Sequence, residues 1–382
     1  MATTVASQIT PKRIAPVQYW AFFGVVCLAF IVYVIFQWVT GPYFKTVPIG
    51  PTPLPGYMKI AIRGWEIGGT LAAIFTYYWV VWRPWLKSGH VTTDGVIVLA
   101  ASVLWFQDPL SNYLGYWFTY NSYFINWGSW VNEVPGWNAG GTPGATIVEP
   151  LFWVIPFYIY GWLPWIIFGG LVLKWSHGRW PHRPVYFHML MCWLVTGLLD
   201  IVAEGLLFIP LGFFQYGGST HLAIFPEAYH KWPLLNIFYI GWLSAGMSWL
   251  RYYRNDLGET LVESGITNLK VSAGKKLLLR VLAMIGGTQL IFIIFNIVVS
   301  FDYGAHTARW PDDTLSRSYL TNGICGAGTD RLCDGPNIPK FQGPNTVRVT
   351  PEGQLHIPEG VQLPAPVPFS TEAKGPFEGR VF

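Results

Sequence analysis

The sequence predicts an all-α integral membrane protein, in which a bundle of seven transmembrane helices is followed by an irregular C-terminal tail outside the membrane. Hydrophobic residues make up 52% of the 382 positions and charged residues 12%, about half the charged fraction of a typical soluble domain. Seven apolar runs are long enough to cross a bilayer, which takes about 20 residues in a helix. Segment 302–382 is instead polar and rich in Pro and Gly, a composition typical of irregular structure.

This pattern divides the chain into an N-terminal segment at 1–16, a membrane domain at 17–301 and the tail at 302–382. The predicted spans are 17–39, 57–82, 93–118, 149–173, 185–211, 234–253 and 277–301. An aromatic content of 17% supplies side chains for belts at both membrane interfaces and for the walls of a cavity. The net charge of +4 is scattered, without a basic run interleaved with aromatics, so no nucleic-acid partner is expected.

The first three spans are identified by where they end and by the polar residues that they carry. The first ends at Gly41-Pro42, and a rigid Pro-rich loop follows it. The second carries Arg63 and Glu66, which are three residues apart and therefore able to pair with each other on a helix. The third contains Asp108-Pro109, and a proline there frees a backbone carbonyl, which suits a helix broken beside a cavity.

The connection after the third span and the later spans carry further polar residues. Loop 120–144 is aromatic, rich in amides and free of Lys and Arg, so we predict that it folds over the bundle as a lid. The fourth span is entered through Glu149-Pro150 and interrupted by two more prolines. The fifth contains Asp200 and Glu204, the loop after it contains His230, and the seventh contains Asn296.

The distribution of positive charge predicts the orientation in the plasma membrane. Most Lys and Arg residues lie in the N-terminal segment and in the second, fourth and sixth connections, whereas the opposite loops hold essentially Lys45 and Lys231. By the positive-inside rule the N-terminus is cytoplasmic and the tail is outside the cell. Cys325 and Cys333 lie in that tail, where a disulfide is favoured; two unpaired thiols are expected only if the tail is cytoplasmic.

Asp200 and Glu204 form the most informative feature of the sequence. They are four residues apart, so on a helix they share one face. A carboxylate inside hydrocarbon costs several kcal/mol, so the pair must point into the protein interior or into a wet cavity. The functional interpretation is an acid/base site. The structural alternative is that neighbouring hydroxyls, amides or Arg63 satisfy both carboxylates.

The other intramembrane polar residues fall in the same half of the bundle as this pair. Alternate helices run in opposite directions, and the approximate span boundaries place these residues next to the tail: Arg63, Glu66, Asp108, Glu149, Asn296 and, capping that side, His230. Polar residues with a purely structural role are not expected to be concentrated in one half of the bundle. Their concentration there favours a single cavity lined with carboxylates. Trp105, Tyr113, Trp117 and Asn121 are candidate walls or substrate contacts, although aromatic residues in membrane helices are more often packing residues.

The motif content restricts the chemistry of such a cavity. The eight histidines are isolated, unlike the histidine boxes of membrane di-iron enzymes, so no metal is expected, with a cluster at Glu227 and His230 as the open exception. Nucleophile-elbow, phosphate-loop and dinucleotide motifs are missing, so we expect no cofactor. Acid/base chemistry by carboxyls remains, with aromatic walls that can stabilise a cationic intermediate.

Four long motifs carry a resemblance to a known family. They are WFQDPLSNYLGYWFTYNSYFINWGSWVNEVPGW (Trp105 to Trp137), DIVAEGLLFIPLGFF (Asp200 to Phe214), FPEAYHKWP (Phe225 to Pro233) and RSYLTNGICGAGTDRLCDGP (Arg317 to Pro336). In these motifs the chain resembles the AveC-like spirocyclase family of actinobacterial membrane proteins, and the resemblance covers nearly the whole chain. The family is named for a dehydratase and spiroketal cyclase of secondary metabolism. The resemblance implies a similar reaction on a hydrophobic polyketide or lipid-like substrate.

Spiroketal formation needs an acid that protonates a hemiketal hydroxyl and a base that accepts a proton from the incoming hydroxyl. We predict Asp200 and Glu204 as the core catalytic pair, with Asp108 and Glu66 assisting. The predicted substrate contacts, besides the candidate walls named above, are Glu149, Arg63, His230 and Asn296. Two other classes stay open. A carrier or transporter would use the same cavity without turnover, and an integral-membrane terpene cyclase would also use carboxylic acids and aromatic walls.

Overall fold

The computed structural model describes residues 14–137, 142–220, 222–305, 307–339, 346–349 and 354–376. Most of the predicted N-terminal segment and parts of the predicted tail lie outside these ranges. The described chain is mainly helical, and its few strands are two residues long. The α-helices are α1 (Pro16–Thr40), α2 (Gly56–Thr76), α3 (Arg83–Ser88), α4 (Thr93–Ala101), α5 (Pro143–Thr146), α6 (Leu151–Tyr160), α7 (Trp162–Arg179), α8 (Val185–Asp200), α9 (Asn236–Tyr252), α10 (Ala273–Ala305), α11 (Asp312–Leu315) and α12 (Ser318–Thr321).

Two of these helices continue in another geometry, and short pieces complete the fold. The π-helical stretch Tyr77–Trp82 follows α2, and Ile201–Phe208, called the π segment below, follows α8. The 3₁₀ helices are Leu104–Asn112 and Trp130–Glu133. The strands pair antiparallel as β1 (Thr119–Tyr120) with β2 (Phe214–Gln215), β3 (Ala223–Ile224) with β4 (Trp232–Pro233), and β5 (Arg348–Val349) with β6 (Leu355–His356).

Four helical stretches are long and apolar enough to cross a membrane: Pro16–Thr40, Leu151–Arg179, Val185–Phe208 and Ala273–Ala305. The prediction of a mainly helical fold is confirmed, with four helical stretches that could span a membrane among the described residues, while the number of seven crossings stays a prediction. The other predicted spans form helices that are shorter or less apolar. α2 carries Arg63 and Glu66 in its first half, α4 has nine residues and α9 has 17.

The third predicted span differs most from the expected helix. Helix α4 ends at Ala101, a 3₁₀ helix follows to Asn112, and the chain is irregular from there to β1. A continuous helix to Phe118 is therefore wrong in its second half. Pro109 has no N–H to donate and its ring crowds the preceding turn, so an α-helix cannot continue undisturbed through this stretch.

Helices α8 and α9 cross at two glycines. A Cβ on Gly197 would overlap the carbonyl of Ile237, and a Cβ on Gly241 would overlap Trp193. Small residues let helix backbones approach closely where lipid provides no hydrophobic drive for association. The crossing lies within one turn of Asp200 and holds that part of α8 in place. Helices α1 and α10 cross in the same way at Gly24 and Gly286.

The loops and the tail form a packed layer over one end of the bundle. Trp130, Tyr229, Trp232, Trp310 and Tyr319 are each almost fully buried in it. Loop 120–144, as far as the structure describes it, lies within this layer, with most side chains between 120 and 131 buried. The tail was predicted to be irregular, but its first described part contains α11 and α12 and packs into this layer, because its apolar side chains find partners in the loops.

Arg317 holds the tail in this layer. Its guanidinium pairs with the Asp313 carboxylate at 2.9 Å, donates to the Tyr319 hydroxyl at 2.8 Å and to the Lys374 carbonyl at 2.6 Å, and lies over the Tyr229 ring. These contacts satisfy a buried charge, which would otherwise be costly. Cys325 and Cys333 form a disulfide in the same layer, with their Cα atoms 4.9 Å apart.

Candidate active site

A cavity lies inside the bundle between the 3₁₀ helix 104–112, α6, α7, the π segment, α9 and α10. The cavity has a volume of about 110 Å³, which is several times the volume that one buried water needs. Its polar lining consists of Gln107, Asp108, Ser111, Tyr120, Tyr158, Asp200, Glu204 and Tyr216. Its apolar lining is dominated by Trp and Phe side chains, so carboxyls face an aromatic chamber.

The fourth predicted span is interrupted beside the cavity. α6 ends at Tyr160 and α7 begins at Trp162, with Gly161 between them, Pro156 inside α6 and Pro164 at the start of α7. Proline removes a backbone hydrogen bond and bends a helix. α7 packs against α8 and α9, whereas α6 leans onto α2. α6 meets the π segment where Trp153 packs on Phe208, and the cavity is bounded by α6, α7 and the π segment beside this contact.

Asp200 is the last residue of α8, and Glu204 lies one turn later in the π segment. Asp200 is 1% exposed, and its Oδ2 has no hydrogen-bond partner among the described residues. The Tyr216 hydroxyl donates to Glu204 Oε2 at 2.6 Å. The two carboxyls are close enough to interact directly. π-Helical turns inside α-helices frequently occur at functional sites, and this one directs Glu204 into the cavity beside Asp200.

Tyr216 lies outside the helices, in the loop that closes the cavity. Burial, followed by the negative charge of Glu204, raises the pKa of Tyr216 well above its ordinary value. The phenol therefore stays protonated and remains a hydrogen-bond donor. A donor that is fixed on one oxygen of Glu204 favours the ionised form of that carboxyl. Glu204 is thus prepared to hold a negative charge, whereas the buried Oδ2 of Asp200 has no such donor.

Asp108 supplies a third carboxyl from another element. The Tyr158 hydroxyl donates to its Oδ1 at 2.7 Å, and the Tyr120 hydroxyl donates to its Oδ2 at 2.8 Å. Tyr158 comes from α6 and Tyr120 from β1, so the carboxyl is held between two parts of the fold. Each oxygen has one phenol donor, and such donors favour a carboxylate.

An amide network positions the 3₁₀ helix that carries Asp108. Gln107 Nε2 donates to Gln289 Oε1 at 2.7 Å, and Asn296 Nδ2 donates to Gln107 Oε1 at 2.8 Å. Both partners lie on α10. Asn296 was predicted to contact substrate, but it does not line the cavity, because its amide is committed to the backbone and side chain of Gln107. Its role is to fix the neighbour of Asp108.

Glu66 and Arg63 were predicted at the site and lie outside the cavity lining. They form an ion pair with each other on α2. Glu66 Oε1 also accepts from the Ile125 N–H at 2.7 Å, and Arg63 Nη2 donates to the Tyr123 carbonyl at 2.8 Å. These contacts use the charges to anchor loop 120–144 to α2, so the catalytic role predicted for Glu66 does not fit its position.

Glu149 is 1% exposed and lies next to Asp108 without lining the cavity. Both of its carboxyl oxygens are without hydrogen-bond partners in the described part of the chain. An ionised carboxylate in this position would be very costly. The neutral form of this carboxyl is therefore favoured, and its position outside the lining gives no support to the predicted contact with substrate.

Of the remaining predicted residues, Trp117 lines the cavity and the other four do not. Trp117 stacks near Tyr216, with ring centroids 4.9 Å apart. The other four make contacts that hold loops together: Trp105 packs on Trp130, Tyr113 donates to the Gly136 carbonyl, Asn121 donates to the Gly212 carbonyl, and His230 packs beside Tyr229. Sequence position alone placed them near the site but could not show that their polar atoms are used elsewhere.

The sequence did not single out Tyr120, Tyr158 and Tyr216, the three phenols that hold the carboxyls. Tyr158 lies in a stretch where nearly every turn of helix has an aromatic residue, so no periodic signal distinguishes it. Tyr120 and Tyr216 reach the cavity because β1 and β2 pair there. As for metals, within residues that the structure describes, no three His, Cys, Asp or Glu side chains are grouped to hold an ion.

Lys231 supports the loop that carries Tyr216. Its side chain is buried, and its Nζ donates to the carbonyls of Gly217 at 2.6 Å and Ser219 at 3.0 Å. Burial lowers the pKa of Lys231 to about 8, with Glu227 acting in the opposite direction. This lysine is therefore poised to lose its proton in mildly alkaline solution.

The contribution of Lys231 to stability should rise with pH above about 8. Its folded-state pKa is below the unfolded value of 10.5, so between about pH 8 and 10.5 the unfolded chain binds more protons and the free energy of unfolding increases. The gain by pH 10 is on the order of 2 kcal/mol. In thermal unfolding in detergent, the stability of the parent and of Lys275→Met, whose lysine is exposed, should increase relative to that of Lys231→Met between pH 8 and 10. The same pH dependence in all three proteins would contradict the assignment.

Comparison with known families gives one match. The family described as "Spirocyclase AveC-like" matches residues 90–320, a range that contains the 3₁₀ helix with Asp108, the broken helix α6–α7, the Asp200 and Glu204 pair, and the loop with Tyr216. No curated protein and no solved structure matches the chain.

Proposed function

Since this chain belongs to the AveC-like spirocyclase family, we propose that it is a membrane-embedded acid/base cyclase acting on a hydrophobic polyketide or lipid-like hydroxyketone. The observation that carries the proposal is the Asp200 and Glu204 pair, which faces an aromatic cavity next to a phenol donor. Two neighbouring carboxyls in an apolar site favour a state that shares one proton. Such a pair provides an acid and a base at the same moment.

The environments of the two carboxyls support a division of roles. Glu204 accepts a hydrogen bond from Tyr216, which favours its ionised form, so it serves as the base. Asp200 is more deeply buried and its Oδ2 has no donor among the described residues, so it holds the shared proton and serves as the acid. Two carboxyls whose environments differ in this way can perform opposite roles at one pH.

The reaction follows from these roles. One hydroxyl of a dihydroxyketone adds to the ketone and gives a hemiketal. Asp200 donates its proton to the hemiketal hydroxyl, and the C–O bond to that hydroxyl breaks. Water departs, and an oxocarbenium ion remains. The second hydroxyl attacks that carbon while Glu204 accepts its proton, which gives the spiroketal with net loss of one water. If Glu204 instead takes a proton from the adjacent carbon, the product is an unsaturated ether, which is a dehydration.

The remaining lining stabilises the cationic intermediate. Asp108, held as a carboxylate by Tyr120 and Tyr158, places a fixed negative charge in the same cavity. Trp117, Trp153 and Phe295 are among the aromatic side chains that line it, and aromatic faces attract cations. Charges that are fixed before the reaction stabilise a transition state without reorganisation. The reaction needs no cofactor in this scheme.

Turnover by the purified protein is the direct test. With the protein reconstituted into lipid vesicles, a lipophilic dihydroxyketone should lose one water and form a spiroketal, roughly 10²–10⁴ times faster than in empty vesicles. Mass spectrometry and NMR identify the product. A matched ketone with one hydroxyl cannot form the second ring and serves as the control. If the protein binds such ketones and converts none of them, it is a carrier.

The same proposal includes the arrangement in the membrane. We place the protein in the cell membrane with seven crossings, formed by the four long helical stretches together with α2, the α4 region and α9. The N-terminus is then cytoplasmic and the tail is outside the cell, as the distribution of Lys and Arg supports. The expected partners are the bilayer and a hydrophobic small molecule, without nucleic acid.

Reporter insertions test this orientation. Gly258 and Gly360 both lie in exposed turns with positive φ, where insertions are tolerated best. A reporter that is active only outside the cytoplasm should be active after Gly360 and inactive after Gly258. A cytoplasmic reporter at the same two sites should give the reverse result. Activity of the first reporter at Gly258 would overturn the orientation.

A further inference from the structure

The cavity is closed on the side of the packed layer. Strands β1 and β2 lie across it, and their neighbours Phe118 and Tyr216 are buried. The tail holds this roof in place: Thr119 Oγ1 donates to the Leu320 carbonyl at 2.8 Å, and Asn322 Nδ2 donates to the Tyr120 carbonyl at 2.8 Å. A substrate that entered from this side would have to break these contacts.

The opposite end of the cavity is also closed. α7 packs against α8 and α9 there. Gly169 of α7 lies against the Ser248 side chain of α9 and the thiol of Cys192 on α8. Trp162 and Leu243 are buried at the edge of this contact and line the cavity. The three helices are therefore closely packed at this end of the cavity.

The side between α6 and the π segment is different. α6 packs on α2, and its Trp153 and Phe157 contact Phe208 at the C-terminal end of the π segment, with ring centroids 5.0 and 5.9 Å apart. The gap between the two helices lies on the Gly161 and Ala203 side of this contact. Here the lining residues on both walls are partly exposed: Phe157, Gly161 and Trp165 on one wall, and Ala203 and Glu204 on the other. The cavity thus opens sideways, between two helices.

The surroundings of this opening are apolar. Val202 and Leu206, on the outer face of the π segment, are 55% and 60% exposed, and Phe152 and Ile167 are exposed on the other wall. Both walls belong to stretches that are long and apolar enough to cross a membrane. Exposed large apolar side chains on such helices face lipid. The opening therefore connects the cavity with the hydrocarbon core of the bilayer.

We propose that this opening, called the side portal, is the route by which a lipophilic hydroxyketone enters the cavity from the bilayer. The identity of this occupant rests on the proposed function. The cavity has room for the equivalent of about ten waters at most, which suffices for the reacting carbonyl and hydroxyl groups but not for a long chain. The polar end of the substrate reaches the carboxyls, and its alkyl part extends through the side portal into lipid.

Photolabelling from the membrane tests the side portal without requiring turnover. The probe is a long-chain alcohol that carries an alkyl diazirine, dissolved in vesicles that contain the protein. Leu243 and Phe238 lie on the same helix, α9, but Leu243 faces the cavity and is 3% exposed, whereas Phe238 is 46% exposed. Both should be labelled by this probe, and a charged, water-soluble diazirine should label neither. Labelling of Leu243 by the charged probe would overturn the proposal.

Substitutions at the mouth of the side portal provide matched variants. Ala203→Trp should reduce labelling of Leu243 at least tenfold relative to Phe238, because the indole fills the opening. Val202→Trp adds the same bulk on the lipid side and should leave the ratio unchanged. Phe157→Ala widens the opening and should raise the labelling of Leu243 relative to Phe238. This variant provides a second test if Ala203→Trp folds poorly. Equal ratios in the parent, Ala203→Trp and Phe157→Ala would contradict the proposal.

The outcomes separate this inference from the proposed function. If labelling follows the expected pattern and no hydroxyketone is converted, the side portal stands and the cyclase proposal fails. If conversion is observed while Leu243 is labelled from water, the cyclase proposal stands and the side portal fails.

Discussion

Asp200→Asn and Glu204→Gln should each lower the turnover number by about two to four orders of magnitude while the protein still inserts and folds. An amide keeps the size of the carboxyl and much of its hydrogen bonding, but it neither donates a proton as an acid nor accepts one as a base. Glu204→Gln retains the contact with Tyr216, so the loop over the cavity should remain in place. Binding of a non-reactive ketone without hydroxyls should change only a few-fold.

Glu66→Gln is the matched control for these variants. Glu66 is also a buried carboxyl, but it pairs with Arg63 and accepts from the Ile125 N–H. Breaking a buried ion pair lowers stability, so this variant should unfold at lower temperature while its turnover stays within a few-fold of the parent. Steady-state kinetics in vesicles, together with thermal unfolding, separate the two effects.

Two results would contradict the assignment of the acid/base pair. If Asp200→Asn and Glu204→Gln both turned over at the parental rate, the pair would be structural. If Glu66→Gln lost turnover to the same extent without loss of stability, the catalytic carboxyls would have to be sought beside α2 instead.

Gly197→Leu should abolish accumulation of folded protein. A Cβ at this position already overlaps the Ile237 carbonyl, and this neighbour is backbone, which cannot rotate away. Helices α8 and α9 would have to separate, and the contact that positions Asp200 would be lost. Overpacking a well-packed interface typically costs 1–3 kcal/mol and sometimes more, and the larger value is expected where backbone is the obstacle. Size-exclusion chromatography in mild detergent measures the folded fraction.

Gly64→Leu provides the control for helix propensity and added bulk. Gly64 lies inside α2, and nothing lies within 4 Å of a Cβ built there. This variant should accumulate like the parent, or slightly better, because leucine favours a helix over glycine. Normal accumulation of Gly197→Leu would show that α8 and α9 can repack, and it would remove the argument that their crossing fixes Asp200.

The acid pair could be predicted from the sequence because its signal is local. Two carboxylates four residues apart in an apolar run must share a face and must be satisfied or functional, and Asp200 and Glu204 indeed face one cavity. Glu66 also had a local signal, since Arg63 is three residues away. This spacing correctly indicated an ion pair, whereas the position of Glu66 in the same half of the bundle as Asp200 had suggested that it lines the cavity.

The phenol partners of the carboxyls could not be predicted, because their positions depend on long-range pairing. Tyr216 reaches Glu204, and Tyr120 reaches Asp108, only after β1 and β2 meet. The helix that should have continued to Phe118 ends at Ala101, and Pro109 lies inside the 3₁₀ helix that follows it. Propensity over a short window does not reveal where a membrane helix gives way to other structure beside a cavity.

The roof contacts determine when the cavity is completed during biosynthesis. Thr119 and Leu320 are 201 positions apart in the chain, and Tyr120 and Asn322 are 202 apart. A ribosome that has produced every predicted span has therefore not yet produced the residues that hold the roof. Until Leu320 and Asn322 have been translated, the roof lacks the two hydrogen bonds that these residues make. On the proposed function, the closed cavity that the reaction needs is therefore complete only after this part of the tail has been made.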